Sequence, residues 1–347
     1  MITPGANRYE VVLNDRYFLG DLVEAIRLED TIGEIAYRAD IALQKTEDLK
    51  KIIGEDNEIE GWPIRVSGIP FGGASFAYLL HPANVWTTDE DEERIDRLTI
   101  TAFDRSFYLL RSEDQYLLAK GTTAAQRLKR YCADWNVPVS PNCPDTKVSL
   151  EKGLYRGPGS TLGTMIMGDL KETARKGGEL FVPRWEVGGG FTLFKIGSNK
   201  DVWVFERDVN YTAKSKHGSL ESAVTQVKVL GKESKGKNKS SGETTAPVMA
   251  ILKRDTQKYG TIQKVFEPDA TASVAQAKKA AEAVLGGPSR TTTVRGIDIN
   301  TIRAGDKVML DDRYLIAAQV IHDLGDPGEI VMTLMGEAEV RRQIYAE

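Results

Sequence analysis

In Glu34-Ile35-Ala36-Tyr37-Arg38-Ala39-Asp40-Ile41-Ala42-Leu43, the residues Ile35, Tyr37, Ala39, Ile41 and Leu43 alternate with more polar neighbours. A period of two is what a strand with one buried face requires. The same period dominates from Arg8 to about Arg111, with further short strands expected at Val11 to Leu13, Leu22 to Leu28, Ile64 to Ser67, Phe76 to Leu80 and Leu98 to Ala102. Asn14-Asp15, Gly54 to Asn57 and Gly72-Gly73 supply the turns between them. An antiparallel barrel or sandwich fits this pattern. The acidic run Asp89 to Glu93 would repel itself in a core, so it reads as a solvated hairpin tip rather than a metal site.

The period then changes. Thr123 stands where a helix cap belongs, and Ala124, Leu128, Tyr131 and Trp135 form one apolar stripe before Pro138 ends the pattern. A second helix starts near Ser160 or Thr161, buries Leu162, Met165, Ile166 and Leu170, and stops at Gly177-Gly178. Strands at Glu179 to Val182 and Thr192 to Ile196 flank the glycine turn Gly188 to Gly190. Beyond them Val202 to Phe205, Ala223 to Leu230 and Val248 to Lys253 read as strands, and Asp269 to Leu285 as an alanine-rich helix closed by Gly286-Gly287-Pro288. The last strands are Thr291 to Ile299, Lys307 to Leu310, Tyr314 to Ile321 and Glu329 to Leu334, with turns at Ala304-Gly305-Asp306 and Gly325 to Gly328.

The expected fold is therefore α+β, mainly β, with two antiparallel barrel-like bodies around a mixed insert. Residues 1–112 make the first body and 113–200 the insert, joined by the helix 268–287. Residues 201–267 and 288–347 make a discontinuous second body, with a flexible Lys/Ser/Gly loop at 231–246. The lysines at 232, 235, 237 and 239 are diluted by Glu233 and Glu243 and lack an aromatic stacking surface, so the loop reads as solvated rather than as a nucleic-acid site.

The chain has 347 residues and 38.3 kDa, enough for two or three domains with a core that needs no staples. Its 46 Lys and Arg against 50 Asp and Glu leave a charge of −4, which argues against general affinity for nucleic acid or an anionic membrane. No apolar run reaches the length of a spanning helix, and Arg8 and Glu10 interrupt the amino terminus before a signal region forms, so a soluble chain without an export signal is expected. Cys132 and Cys143 cannot build a disulfide framework or a four-thiolate zinc site. His81, His217 and His322 have no metal-site spacing, and no nucleophile elbow or phosphate loop is present. Gly157-Pro158-Gly159-Ser160-Thr161 precedes a helix, but its proline removes a donor and no lysine follows where a phosphate would need one. The tryptophans at 62, 86, 135, 185 and 203 sit in strand and helix patterns that assign them to packing. The residues thus predict no catalytic, cofactor-binding or metal site.

Arg97 to Asp104, Gln115-Tyr116 and the helix from Gly121-Thr122-Thr123-Ala124-Ala125 to Trp135 resemble the XkdQ/YqbQ family of phage tail hub proteins. So do Thr161-Leu162-Gly163, Asp255 to Gly260 leading into Phe266-Glu267, Ala275-Gln276-Ala277, Ala304 to Val308 and Val320-Ile321-His322, all in the same order. The likeness covers about residues 97 to 335. It departs in the first 90 residues, at Gly61-Trp62-Pro63 and Ala77-Tyr78-Leu79-Leu80, which leaves the limits of the first body open.

The resemblance implies a structural role in the particle and no enzyme activity. Two similar β-rich tube domains per chain, in a homotrimer, would imitate the sixfold tail tube above while matching a threefold spike below. The partners it implies are the tail tube or a tube initiator, the central spike, baseplate wedge proteins and a tape-measure protein in the lumen. Nucleic acid would only pass through, and no membrane is involved. Assembly would take place in the bacterial host cytoplasm, in a contractile phage tail or a phage-tail-like particle. His322 resembles a position where related hubs often carry histidine, with packing or hydrogen bonding as its expected role. The rival readings are a cell-wall hydrolase at a tail tip and a β-barrel module that binds carbohydrate or nucleic acid.

Overall fold

The structure, a computed structural model, describes residues 9–54, 56–91, 96–231, 246–267 and 273–346. The expectations for the four loop lysines, for Glu92 and Glu93, and for the start of the alanine-rich helix fall outside these residues. The fold is mainly β, with predominantly antiparallel sheets.

The largest sheet has 13 strands. Its main path runs Tyr211–Ser219, Ser289–Ile297, Glu329–Met335, Arg313–Leu324, Val23–Thr31, Arg38–Gln44, Arg97–Asp104, Ala77–Asp91, Pro63–Gly68, Tyr9–Leu13 and Tyr17–Phe18. The path does not return on itself. Neither β body is the closed barrel expected from the alternation, because a period of two fixes which face is buried but not whether the edges meet. The two bodies are instead continuous, joined where Arg313–Leu324 pairs with Val23–Thr31.

A four-strand unit is repeated along this path. In the first unit the strands Val23–Thr31, Arg38–Gln44, Ala77–Asp91 and Arg97–Asp104 lie in the order first, second, fourth, third. Tyr211–Ser219, Ser289–Ile297, Arg313–Leu324 and Glu329–Met335 lie in the same order in the second. The registers agree in detail. Glu24 is the extra residue of a bulge between Val23 and Ala25, and Thr212 is the extra residue between Tyr211 and Ala213. Trp86 bulges between Val85 and Thr87, and Ala318 between Ala317 and Gln319. From each of these second bulges the chain runs the same distance to a closing pair, Asp91 with Arg97 or Asp323 with Glu329. Because a one-residue slip would turn a strand's apolar face outward, bulges at matching places keep the same alternate positions inward in both units. Ile41 and Ile100 fill the first core, and Val294 and Met332 the second.

Between the units lies a helical body. Thr123 caps Ala124–Asp134 through a reciprocal box with Gln126, as the sequence predicts. Thr161 caps Leu162–Arg175. These helices pack with the hairpin Phe181–Glu186 and Gly190–Lys195 around Leu128, Tyr131, Met165 and Phe191. The carboxyl-terminal Val340 and Tyr345 complete this core. The alanine-rich helix Val274–Val284 does not join it. Ala277, Ala281, Val284 and Leu285 instead cover Val227 and Val229 of a separate three-stranded sheet, Gln226–Leu230, Val248–Lys253 and Gln263–Phe266. Small side chains on one face let the helix lie close to that sheet.

Candidate assembly surface

The outer face of the long sheet carries two adjacent rows of side chains across both units. One row is Arg295, Val331, Ile321, Glu29, Arg38 and Phe103. The next is Ile297, Glu329, Asp323, Arg27, Asp40 and Thr101. All but Thr101 remain partly or fully exposed. Opposite charges neutralise one another within and between the rows. Arg295 meets Glu329 at 2.8 Å, Arg27 meets Asp323 at 2.7 Å, and Arg38 meets Asp40 at 2.9 Å. Gln319 donates to Glu29 at 2.6 Å and the Thr101 hydroxyl to Asp40 at 2.8 Å. Hydrogen bonding to Asp323 raises the Arg27 guanidinium pKa further above its ordinary value. A face whose charges are already paired can touch another chain while offering little unpaired charge to hold it.

Two backbone edges frame this face. Among the described residues the ladder partner of Tyr211–Ser219 is Ser289–Ile297, apart from a single bridge between Tyr211 and Arg207, and its residues from Thr212 to Gly218 are exposed. At the other end, Thr87 to Asp91 has Arg97 to Thr101 as its one ladder partner among the described residues, with side-chain contacts from Glu60 to Thr88 and from Asn57 to Glu90 on that side. An open edge is a template for further strand pairing. On the helical body, Leu117 and Leu154 face each other across a two-strand ladder, 58% and 56% exposed.

The structure disperses the residues that composition singled out. His322 is buried, with Nδ1 2.6 Å from Asp298 and Nε2 2.8 Å from the Ile302 carbonyl. It fixes a turn to a strand. His81 lies tilted against the Tyr78 ring, and burial lowers its pKa. His217 stands on the exposed edge strand. Cys132 and Cys143 are buried free thiols, and burial pushes Cys132 up to about 12, so its thiolate is disfavoured. The Gly159 amide, ahead of the second helix, donates to the Glu113 carboxylate at 2.8 Å, an anion from the chain itself. Trp185 is buried, Trp62 stacks on Tyr17, and Trp86 and Trp203 make edge contacts with Phe107 and Phe71. Trp135 is half-exposed and donates to Asp114. The acids of Asp89 to Asp91 belong to a strand, and Glu90 is held by Lys45 and Asn57.

Among the described residues no group of His, Cys, Asp and Glu could hold a metal ion, and no helix is long and apolar enough to cross a membrane. The strand Tyr211–Ser219 has no counterpart in the sequence reading. Its polar run Thr212 to Ser219 has no apolar alternation to mark it.

A family model described as YQBQ-like matches residues 83–324. No curated protein sequence matches the chain significantly. Among solved structures, the chain is similar to the 43 kDa tail protein of prophage MuSo2 from Shewanella oneidensis, at TM-score 0.69 and 10% identity, covering 96% of this chain and 99% of that one. It is similar to a tail protein from Neisseria meningitidis, at TM-score 0.65 and 14% identity, covering 97% and 98%. Prophage tail protein gp18 from Listeria monocytogenes follows at TM-score 0.55 and 14% identity, covering 97% of each chain. At these identities the likeness is one of fold.

Proposed function

This chain belongs to the YQBQ-like family, and we propose that it is the structural hub of a phage tail or phage-tail-like particle. In this reading three copies form a ring. Each contributes two four-strand units, so six units face the sixfold tail tube or its initiator while the threefold ring receives the central spike. The observation that carries the reading is the repeated unit, with the same strand order and matching bulges, joined edge to edge within one chain. A repeat of this kind lets a threefold assembly present near-sixfold geometry. We divide the chain accordingly, with one tube module formed around each unit and the helical body between them, available to baseplate wedge proteins.

The paired outer face of the sheet would line the lumen. Its charges are matched internally, which suits passage of a tape-measure protein or nucleic acid without retention. The proposed work is binding rather than catalysis, carried out in the particle after assembly in the host cytoplasm.

Electron microscopy and mass spectrometry of the particle that contains the chain test this reading. Three copies at the boundary between tube and spike are expected. Six copies, or a place elsewhere in the particle, would overturn it.

A further inference from the structure

The repeat fixes equivalent positions in the two units. Asp91 stands where Asp323 does, Glu90 where His322 does and Asp89 where Ile321 does. Ser215 stands where Arg27 does, Lys216 where Leu28 does and His217 where Glu29 does. Inside the chain, the third strand of the second unit meets the first strand of the first unit, with Asp323 opposite Arg27, His322 opposite Leu28 and Ile321 opposite Glu29. The counterpart edges, Thr87 to Asp91 and Tyr211–Ser219, have no second strand partner among the described residues.

We propose that these two edges pair with each other between neighbouring copies of this chain, antiparallel and in the register of the internal junction. Asp91 then lies opposite Ser215, Glu90 opposite Lys216 and Asp89 opposite His217. The inference rests on the hub reading and names its subunit contact.

Charge supports the choice of partner. Asp89, Glu90 and Asp91 are exposed on one edge, where Lys45 and Asn57 hold Glu90. Lys214, Lys216 and His217 are exposed on the other, where Asp311 pairs with Lys214, so Asp89, Asp91, Lys216 and His217 carry the complementarity. At the internal junction the matching positions include buried Leu28 and His322, as suits a contact that never opens. Edges that must wait in solution need charges to deter indiscriminate pairing, and opposite charges on the two edges then favour the correct partner over a copy of the same edge. The contact is head-to-tail, so it makes a ring or a filament according to its rotation. If the outer junction repeats the inner one, each turns the sheet equally, and a ring of three chains holds three inner and three outer junctions of one register.

Cysteine pairs read the register. Directly opposite residues in an antiparallel pair have Cα atoms about 4.5–5.5 Å apart, within the range a disulfide spans. The native cysteines are buried and do not compete. The full chain carrying Asp89→Cys with His217→Cys, or Asp91→Cys with Ser215→Cys, should on oxidation give a covalent trimer as its largest product. The yield should exceed at least tenfold that of the displaced pair Asp91→Cys with Ser219→Cys. Absence of intermolecular disulfide from both in-register pairs overturns the junction, and a trimer found by native mass spectrometry in that case leaves the hub reading standing. Covalent ladders beyond three chains support the junction and overturn the ring of three.

Discussion

The Arg27 guanidinium donates to both carboxylate oxygens of Asp323, through Nε at 2.7 Å and Nη2 at 3.1 Å, across the strand pair that joins the two repeated units. The geometry is a fork on a carboxylate, yet the two side chains are 53% and 32% exposed. Exposure decides the magnitude, because water and salt already satisfy much of each charge. Arg27→Ala should lower stability by under about 1 kcal/mol, with less effect in high salt. Urea denaturation of the two proteins measures it, and a loss above about 2 kcal/mol would mean the fork counts for more than its exposure allows.

Arg303 makes the contrasting contact at the same junction. Its Nε lies 2.6 Å from Asp30, which also accepts from the Ala304 amide at 3.1 Å, and its guanidinium sits 3.8 Å from the centre of the Tyr37 ring. Asp30 is only 5% exposed. Arg303→Ala strands that carboxylate without its cation and should cost about 3–5 kcal/mol. Arg303→Lys keeps the charge but not the planar stack, and should fall between wild type and alanine in a denaturation series.

A second buried network holds the helical body together. Asp169 accepts from Arg127 at 2.7 Å, from the Tyr131 hydroxyl at 2.9 Å and from the Tyr155 hydroxyl at 3.1 Å. Burial raises the Asp169 carboxyl while the Arg127 charge opposes that rise. Asp169→Ala leaves a buried guanidinium and two hydroxyls short of an acceptor, for an expected loss of about 3–5 kcal/mol. Tyr131→Phe removes one donor among three and should cost about 1 kcal/mol. Thermal unfolding that ranks Tyr131→Phe with or above Asp169→Ala would contradict this assignment.

What could be read from the sequence follows from what local pattern encodes. Burial alternates strictly along Arg38–Gln44 and Glu329–Met335, and enough of that alternation is kept in residue type to mark them as strands, while Thr123 announces its helix because capping is a local bond. The edge strand Tyr211–Ser219 sends mainly Tyr211 into the core, so it shows no alternation. The repeat is hidden for a related reason. Equivalent places hold Ile26 and Lys214, Leu28 and Lys216, or Leu43 and Gly296, since one member lies at a covered junction and the other at an open edge or a close crossing. The placement of Val340 and Tyr345 in the helical body is a tertiary choice with no local signal. Of the candidate surface, only the acidic run at Asp89 to Asp91 stood out in the sequence, as a solvated tip rather than as half of a pair.

Asp104 should set a pH dependence. It is buried, accepts from the Tyr37 amide at 3.2 Å and the Ser106 amide at 3.0 Å, and burial pushes its carboxyl up to about 6. An unfolded aspartate titrates near 3.9. Between about pH 4 and 6 the folded chain therefore keeps a proton that the unfolded chain has lost. The resulting stabilisation is complete below about pH 4 and gone once pH has risen through about 6. Asp104→Asn cannot titrate, so the stability of wild type relative to this variant should fall by up to about 3 kcal/mol across that window and stay level above it. Urea midpoints of both proteins from pH 4 to 7 read the difference, and a constant gap would show that Asp104 does not titrate there.

Gly296 lies opposite Tyr211, where the edge strand enters the sheet. A Cβ at this position would stand 2.2 Å from the Asn210 carbonyl oxygen and 2.9 Å from the Tyr211 Cα. Backbone cannot yield as a flexible side chain does, and Asn210 is held, its side chain accepting from the Glu206 amide at 2.8 Å and donating to the Val204 carbonyl at 2.7 Å. Gly296→Ala should therefore lift the start of Tyr211–Ser219 and cost about 1–3 kcal/mol, as overpacking does. Amide exchange should speed up from Tyr211 to Ser219 while the equivalent pairing of Val23–Thr31 with Arg38–Gln44 keeps its protection. If that edge is the surface a neighbouring copy meets, the same variant should lower the yield of covalent trimer from the in-register cysteine pairs without raising that of the displaced pair. An unchanged yield alongside faster exchange would separate the fold of the strand from its use in assembly.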